Sequence, residues 1–219
     1  SFSSNTYSFN RFATRLATNL DPDPKPEKVT SIDSLDRLMK LLGDVPPNRA
    51  LSNAAKFFNV TSLHIDYYSN SSSNPLSGPI PESIGLLTCL KTLTLSSHRL
   101  SGSVPASFGN LSNLTFLKLS CNKLTGLIPK EIGKLTLLTH LDLNNNQFTG
   151  PIPDSIGELT NLTHLYLNNN QFTGPIPGSI GKLTKLSYFN SSDNQLTGPI
   201  PNSIGQLTNL EDLNLSNNR

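Results

Sequence analysis

Two histidines, His140 and His164, are each followed two positions later by a polar side chain, Asp142 or Tyr166. Imidazole and carboxylate groups in such an arrangement can bind a metal ion, transfer protons or hydrogen-bond to a partner molecule. A zinc site needs three or four protein ligands, and two histidines with one aspartate supply too few of them. We therefore expect a binding surface here, with no metal ion and no cofactor.

Sequence signatures of catalysis do not occur in the chain. It has no glycine-rich phosphate loop, no serine nucleophile elbow, no metalloprotease helix and no pair of carboxylates set apart. A formal net charge of +2 is too small to indicate nucleic acid or an anionic membrane surface as the partner. No apolar run approaches the roughly 20 residues of a membrane-spanning helix. These features predict a protein that is not an enzyme.

The histidines belong to a repeat of about 24 residues, a length in the range that is typical of a solenoid. Two nearly identical copies of the repeat lie between Leu135 and Lys182. In a solenoid each repeat buries its apolar residues against its neighbours. The predicted repeat domain covers 57–219, with a first repeat at 57–86 that carries an insertion. The later repeats are 87–110, 111–134, 135–158, 159–182, 183–206 and a truncated 207–219.

Each position of the repeat has a structural interpretation. Leu141 and Leu143 have the period of two of a short strand, which we expect to join a parallel sheet. Asn146 recurs from Asn122 to Asn218, where its amide could satisfy backbone groups that are turned away from water. Gly150 allows a tight bend, and the prolines that follow it disfavour a long helix.

The residues that flank the inward-facing leucine of each predicted strand should face solvent. Neighbouring strands lie about 4.8 Å apart, so these outward side chains should form one aromatic and imidazole patch with charges beside it. Large rigid side chains with polar neighbours suit the centre of a protein or peptide interface. The simpler alternative is that they only cover the sheet and stack on one another. The predicted partner-binding residues are Phe116, Lys118, His140, Asp142, His164, Tyr166 and Tyr188.

Threonines form a second regular pattern. They recur at two positions of the repeat and would give ladders of hydroxyl groups that could meet an ordered surface such as ice or a glycan. Threonine is also simply compatible with a tight coil, so this alternative stays open. The residues are Thr136, Thr149, Thr160, Thr173, Thr184 and Thr197.

The repeat pattern LxxLxxLxLxxNxLTGxIPxxIGx resembles the plant-type leucine-rich repeat of receptor-kinase ectodomains and polygalacturonase-inhibiting proteins. The resemblance implies an α/β repeat solenoid, in the form of a right-handed arc. Parallel strands would line its concave face, short or 3-10 segments its convex face, and a second small run of strands would follow the Thr-Gly turn. It also implies partner binding as a class. Family members usually carry paired cysteines in the N-terminal cap, whereas this chain has no tryptophan and no cysteine before Cys89.

Residues 1–56 differ in composition from the repeats. Residues 1–30 are poor in acidic residues and end in an alternating run of prolines, which predicts an irregular arm; an organelle transit peptide could have a similar composition. Apolar residues from Ile32 to Leu42 recur at helical spacing, so 31–56 should form a helical cap over the first repeat. The insertion at 66–74 should form a loop, and the missing second half of the last repeat predicts that the chain continues or is covered by a partner.

Cysteines and glycosylation motifs bear on the compartment. Cys89 and Cys121 fall in different parts of adjacent repeats, too far apart for a disulfide, so we expect both to be free. Glycan acceptor motifs favour an extracellular or cell-surface location, with an organelle lumen as the alternative. The candidate acceptors are Asn59, Asn70, Asn110, Asn113, Asn161, Asn190 and Asn214.

Two functions agree with these patterns. The first is a non-enzymatic module that recognises a protein or peptide on the concave face of the solenoid. The second is an accessory or scaffold subunit of a larger complex, held by its N-terminal arm, its insertion loop or its C-terminal end. Neither function involves nucleic acid, and the segment itself has no membrane span.

Overall fold

Short parallel strands recur once or twice in every repeat, because alternate apolar residues bury one face of each strand and leave the other in solvent. The computed structural model describes residues 61–64 and 75–219. Their strands are β1 (Ser62–His64), β2 (Ser77–Pro79), β3 (Thr92–Thr94), β4 (Arg99–Gly102), β5 (Phe116–Lys118), β6 (Lys123–Gly126), β7 (His140–Asp142), β8 (Gln147–Gly150), β9 (His164–Tyr166), β10 (Gln171–Gly174), β11 (Tyr188–Asn190), β12 (Gln195–Leu196) and β13 (Asp212–Asn214).

The strands form two parallel sheets. The first sheet has the order β1-β3-β5-β7-β9-β11-β13, and the second has the order β12-β10-β8-β6-β4-β2. Each strand thus pairs with the strand one repeat earlier and one repeat later, which is the connectivity of a solenoid. The leucine-rich repeat solenoid predicted from the sequence is confirmed. The second run of strands does not start after the Thr-Gly turn but contains that dipeptide, as in β8.

Among the described residues, every repeat before the truncated 207–219 has one 3-10 turn, which lies between the two sheets on the return path. All six begin directly after a proline, whose fixed backbone angle starts the turn without a hydrogen-bonding side chain at its cap. The short or 3-10 segments predicted for this side are confirmed. They are Glu82–Leu86, Ala106–Asn110, Lys130–Lys134, Asp154–Glu158, Gly178–Lys182 and Asn202–Gln206.

A single apolar core runs along the inside of the coil. Leu138, Leu141 and Ile156 have no exposed surface, and the rings of Phe148 and Phe172 stack with centroids 6.0 Å apart. The same repeat positions are buried in the neighbouring coils, so each coil supplies one layer of the core. The core therefore holds the first sheet in register from β1 to β11, whereas Leu213 in β13 is exposed.

An asparagine ladder satisfies the backbone where each coil turns inward. The Nδ2 group of Asn146 donates to the carbonyls of Leu119, Leu143 and Asn144, and its Oδ1 accepts from the backbone N–H of Leu124. Equivalent bonds are made at Asn122, Asn170, Asn194 and Asn218. The predicted ladder is present.

In the repeat 87–110 the ladder position is occupied by His98, a substitution that the repeat pattern does not explain. The Nδ1 atom of His98 lies 3.3 Å from the backbone nitrogen of Leu76 and accepts a hydrogen bond from its N–H group. This is the bond that Asn122 Oδ1 makes with the nitrogen of Leu100 one repeat later. The imidazole thus replaces the amide as the acceptor at this position of the ladder.

The residue before each ladder position adopts a left-handed backbone conformation. Asn145 has a φ of 52° and Cys121 a φ of 57°, a region that most side chains avoid and that asparagine tolerates best. This requirement explains why the position is Asn or Asp in four of the six described repeats that contain it. The recurrence of these residues is a signal in the sequence from which the turn could have been predicted. The same angle orients the backbone so that the ladder amide can turn into the core.

Several sequence predictions fall on parts of the chain outside the described residues. These are the arm 1–30, the helical cap 31–56 and the insertion loop 66–74. Cys89 and Cys121 are both free thiols, as expected.

Candidate recognition surface

The outward side chains of the first sheet form two parallel rows. Strand pairing places Phe116 opposite His140, His140 opposite His164 and His164 opposite Tyr188, and we call these four residues the ring row. Two residues further along the same strands, pairing places Lys118, Asp142, Tyr166 and Asn190 side by side, and we call them the polar row. The structure therefore brings together all seven residues that were predicted from the sequence.

Each ring of the ring row lies against the next, with three rings stacked from His140 to Tyr188 and Phe116 tilted by 30° against His140. Ring centroids are 5.1 Å apart between Phe116 and His140, 4.1 Å between the two histidines, and 4.7 Å between His164 and Tyr188. The histidine planes are within 14° of parallel. Because each histidine ring has a neighbouring ring over both faces, the two imidazoles present their edges to the solvent.

A threonine before each histidine orients its imidazole. The hydroxyl of Thr139 donates to the carbonyl of Thr115. Its oxygen is therefore left to accept a hydrogen bond from His140 Nδ1, which lies 2.9 Å away. Thr163 makes the same two bonds with the carbonyl of Thr139 and with His164 Nδ1, at 2.9 and 2.8 Å. In the neutral state both imidazoles therefore carry the proton on Nδ1, and Nε2 is left as an acceptor.

The environment of His140 makes its imidazolium form less favourable. Burial lowers the pKa of His140 below its ordinary value, and the positive charge that His164 can carry lowers it further. Two stacked imidazoles cannot both be protonated without repulsion. When both rings are neutral, the pair offers two acceptor atoms, the Nε2 atoms of His140 and His164.

Asp142 and Lys118 are neighbours in the polar row. Burial raises the pKa of Asp142, while the backbone N–H of Asn144, the charge of Lys118 and the side chain of Ser120 lower it in part. The carboxylate accepts the Asn144 N–H at 3.1 Å, so one of its oxygens is already oriented by the backbone. This aspartate is the negative charge nearest the centre of the surface.

Tyr188 ends the ring row and is joined to an acidic residue of the next repeat. Its hydroxyl donates to Glu211 Oε2 at 2.8 Å, and this hydrogen bond raises the pKa of the tyrosine. Burial is the largest cause that raises the pKa of Tyr166, and Glu211 is the largest cause for Tyr188. The negative charge of Asp212 adds a smaller increase to the pKa of both tyrosines. Glu211 and Asp212 therefore act on the same surface, although they were not among the residues predicted from the sequence.

The second sheet presents a different surface, which carries exposed Arg99 and Lys123 in its early strands and uncharged polar side chains in β8, β10 and β12. Pairing places Thr125 beside Gln147, Thr149 beside Gln171, and Thr173 beside Gln195. Thr149 and Thr173 are exposed, and the buried rings of Phe148 and Phe172 lie beneath the array. We call this the threonine-glutamine face.

The candidate glycan acceptors lie on several sides of the coil. Asn110 and Asn113 are exposed, and Asn161 is half-buried. The Nδ2 groups of Asn113 and Asn161 make equivalent bonds, to the carbonyls of Thr88 and Thr136. Asn190 and Asn214 pair with each other in the first sheet, so a glycan on Asn190 would stand beside Tyr166 in the polar row. Asn59 and Asn70 lie outside the described residues.

Metal sites and membrane spans have no counterpart in the described part of the chain. Over residues 61–64 and 75–219, no cluster of three or more His, Cys, Asp or Glu side chains is placed to hold a metal ion. Within the same ranges, no helix is long and apolar enough to cross a membrane.

Stacked coils with a parallel sheet, an asparagine ladder and one 3-10 turn per repeat define the class of leucine-rich repeat proteins. A sequence model of the leucine-rich repeat region matches 109–219, and a second model of the single repeat matches 89–111. The chain belongs to the leucine-rich repeat family, with repeats of the plant type. Neither model describes a catalytic domain. A comparison with curated protein sequences gives no significant match.

Plant receptor ectodomains are among the similar solved structures. One is the leucine-rich repeat ectodomain of the receptor kinase GASSHO1/SCHENGEN3 from Arabidopsis thaliana, in complex with CASPARIAN STRIP INTEGRITY FACTOR 2, at 40% identity and a TM-score of 0.70. Another is the Arabidopsis receptor kinase HAESA in complex with the peptide hormone IDA and the co-receptor SERK1, at 42% identity and a TM-score of 0.68. Each match covers 76% of this chain, but only 19% and 27% of the respective receptor chains.

A plant ice-binding protein has a similar structure as well. It is 36% identical, with a TM-score of 0.65, and the match covers 76% of this chain and 52% of that protein. Members of the same fold thus include peptide-bound receptors and an ice-binding protein. The choice between such functions depends on the surfaces of this chain.

Proposed function

We propose that the chain is a recognition module that binds a peptide or a protein segment across the outward face of the first sheet. This face is expected to be the concave side of the arc. The observation that carries the proposal is the unbroken row of four half-buried rings with two imidazole acceptors at its centre. The similarity to ectodomains solved with peptide ligands supports it.

The chemistry of the ring row favours a ligand that offers hydrogen-bond donors. Sugar rings commonly stack on exposed aromatic faces, but at the centre of this row both faces of each histidine ring lie against neighbouring rings. The free edges instead carry the Nε2 acceptors of His140 and His164, which suit N–H and O–H groups. Stacked rings also have few conformations left to lose on binding, which favours affinity.

A selection experiment tests this proposal directly. The protein is used to select binders from a phage-displayed library of random twelve-residue peptides, and their affinities are measured by interferometry. The triple variant His140→Ala, His164→Ala, Tyr188→Ala should bind the selected peptides at least about 30-fold more weakly, the effect of losing one central contact. Unaltered affinity would mean that the rings only cover the sheet.

The matched control changes the other sheet. Replacing Gln147, Gln171 and Gln195 with alanine removes a comparable amount of polar surface from the threonine-glutamine face. Affinity for the selected peptides should stay within about twofold of the wild type, because outward substitutions remote from an interface have small effects. Circular dichroism melts of both variants verify that the coil is intact.

We further propose an extracellular location, supported by the similarity to plant receptor ectodomains. A protein that passes through the secretory pathway meets the enzymes that glycosylate Asn-x-Ser/Thr motifs. Mass spectrometry of the protein from its native tissue should detect glycan on exposed Asn110 or Asn113. Unmodified peptides at every motif would favour the organelle lumen.

A second candidate function is ice binding through the threonine-glutamine face. The observation that favours it is the similarity to a plant ice-binding protein, together with a regular and uncharged array over three successive repeats. The variant Thr149→Lys, Thr173→Lys should then lose inhibition of ice recrystallisation, while the triple ring-row variant keeps it. Equal inhibition by both variants, or none by the wild type, would exclude this face.

A further inference from the structure

The charges on the first-sheet face are distributed unevenly along the solenoid. Three positions of each repeat border or occupy this face: the residue before the strand and the two outward strand residues. In the repeats that contribute β3 to β13, these positions hold eighteen residues, of which five carry a formal charge. They are Lys91, Lys118, Asp142, Glu211 and Asp212.

Both cations lie at one end of this set, and two of the three anions lie at the other end. Lys91 precedes β3, and Lys118 ends β5, whereas Glu211 precedes β13, and Asp212 begins it. Between them, Asp142 is the one residue at these positions with a formal charge when the histidines are counted as neutral. The surface is therefore an electrostatic dipole along the axis of the coil.

The contacts of these side chains show that their charges reach the surface. Lys118 lowers the pKa of Asp142 by its charge, and Asp212 raises the pKa of both Tyr166 and Tyr188. Glu211 reaches the ring row itself, because its carboxylate accepts the Tyr188 hydroxyl. Lys91, Glu211 and Asp212 are exposed, so a bound partner can contact them.

Resting on the proposed function, we infer that the partner is an extended peptide with an acidic residue at one end and a basic residue at the other. The acidic group lies over Lys118 and Lys91, and the basic group lies over Asp212 and Glu211. The uncharged middle of the peptide crosses the ring row and donates hydrogen bonds to the two imidazoles.

The spacing of the two charges on the peptide follows from the sheet. Four strand steps separate β5 from β13, and at about 4.8 Å per step they span about 19 Å. An extended peptide advances about 3.4 Å per residue, so the acidic and basic residues should be about six positions apart. The two ends are more than a Debye length of about 8 Å apart, so each end selects its own residue.

The same peptide selection tests this inference when it is repeated with two charge variants. One variant is Lys91→Gln, Lys118→Gln, and the other is Glu211→Gln, Asp212→Asn. All four side chains are replaced by uncharged ones of similar size, and none of the four is buried, so the fold should be retained. The readout is the frequency of acidic and basic residues, and their separation, among the selected peptides.

The wild type should enrich peptides with an acidic and a basic residue five to seven positions apart over peptides with other separations. The lysine variant should lose the acidic preference alone, and the acidic-end variant should lose the basic preference alone. Raising the salt concentration should weaken both preferences, because exposed charges are screened. Each lost preference should appear as a reduction of severalfold in frequency.

Other outcomes overturn the inference. The selected peptides could lack the charge pair, or carry a pair whose frequency neither variant alters. Either result would agree with peptide recognition but show that these charges do not determine which peptide binds. A wild-type protein that enriches no peptide would contradict the proposed function itself, and the inference would fall with it.

Discussion

The imidazole rings of His140 and His164 stack with their centroids 4.1 Å apart, each held by a threonine from its own repeat. This arrangement places two acceptors side by side in a sheet whose register is set by the leucines beneath them. It also couples the protonation of one ring to that of the other.

The first prediction concerns this coupling. Since burial and the charge of His164 lower the pKa of His140, the variant His164→Ala should raise that pKa towards its ordinary value of 6.5. NMR titration of the His140 ring protons measures it. The variant His64→Ala alters a histidine in the first described strand, away from the pair, and should leave the pKa of His140 unchanged. An equal change in both variants would contradict the coupling.

Stability should depend on pH in the same range. A histidine with a lowered pKa binds fewer protons in the folded than in the unfolded protein, so the free energy of unfolding rises with pH between the two pKa values. Acidification from neutral pH through 6.5 should therefore lower the melting temperature, by less in His140→Phe than in the wild type. Identical pH profiles would show that His140 does not contribute.

The third prediction concerns the asparagine ladder. Asn146→Ala removes three donated bonds and one accepted bond from buried backbone groups, and should lower the free energy of unfolding by about 2–4 kcal/mol. Gln147 follows directly and is exposed, so Gln147→Ala is the control and should change little. Urea denaturation of both variants provides the comparison, and similar midpoints would refute the ladder's role.

The fourth prediction concerns the close approach of successive 3-10 turns. A Cβ atom on Gly157 would lie 2.6 Å from the carbonyl oxygen of Ser179 in the next repeat, so Gly157→Ala should cost about 1–3 kcal/mol. A methyl group on Gly178 would meet no heavy atom of another part of the chain within 4 Å, and its φ is not positive, so Gly178→Ala should be neutral or slightly stabilising. Thermal melts distinguish the two, and equal effects would mean that the coils can separate at little cost.

The repeat pattern predicted a large part of this structure. A period of about 24 residues with leucines at fixed positions is enough to place Leu141 in the core and His140 outside it, and stacking the repeats brings His140 beside His164. The asparagine ladder could be predicted for a similar reason, because a polar residue repeated at every inward turn must satisfy backbone groups there.

Other features depend on geometry that a repeat pattern does not contain. The tautomer of His140 follows from where the Thr139 hydroxyl points, and that direction depends on the carbonyl of the preceding repeat. The acceptor role of His98 depends on a nitrogen donor in another coil. Glu211 was missed because its own repeat gives no sign that its carboxylate reaches Tyr188.

The central claim is that the paired imidazoles of His140 and His164 are the recognition surface. The most direct measurement is a long-range ¹H–¹⁵N NMR spectrum of the histidine rings, recorded with and without a peptide selected by the protein. We predict that both free rings carry their proton on Nδ1, and that peptide moves both Nε2 resonances while those of buried His98 stay unchanged. Unmoved Nε2 resonances at saturating peptide would contradict the claim and direct attention to the threonine-glutamine face.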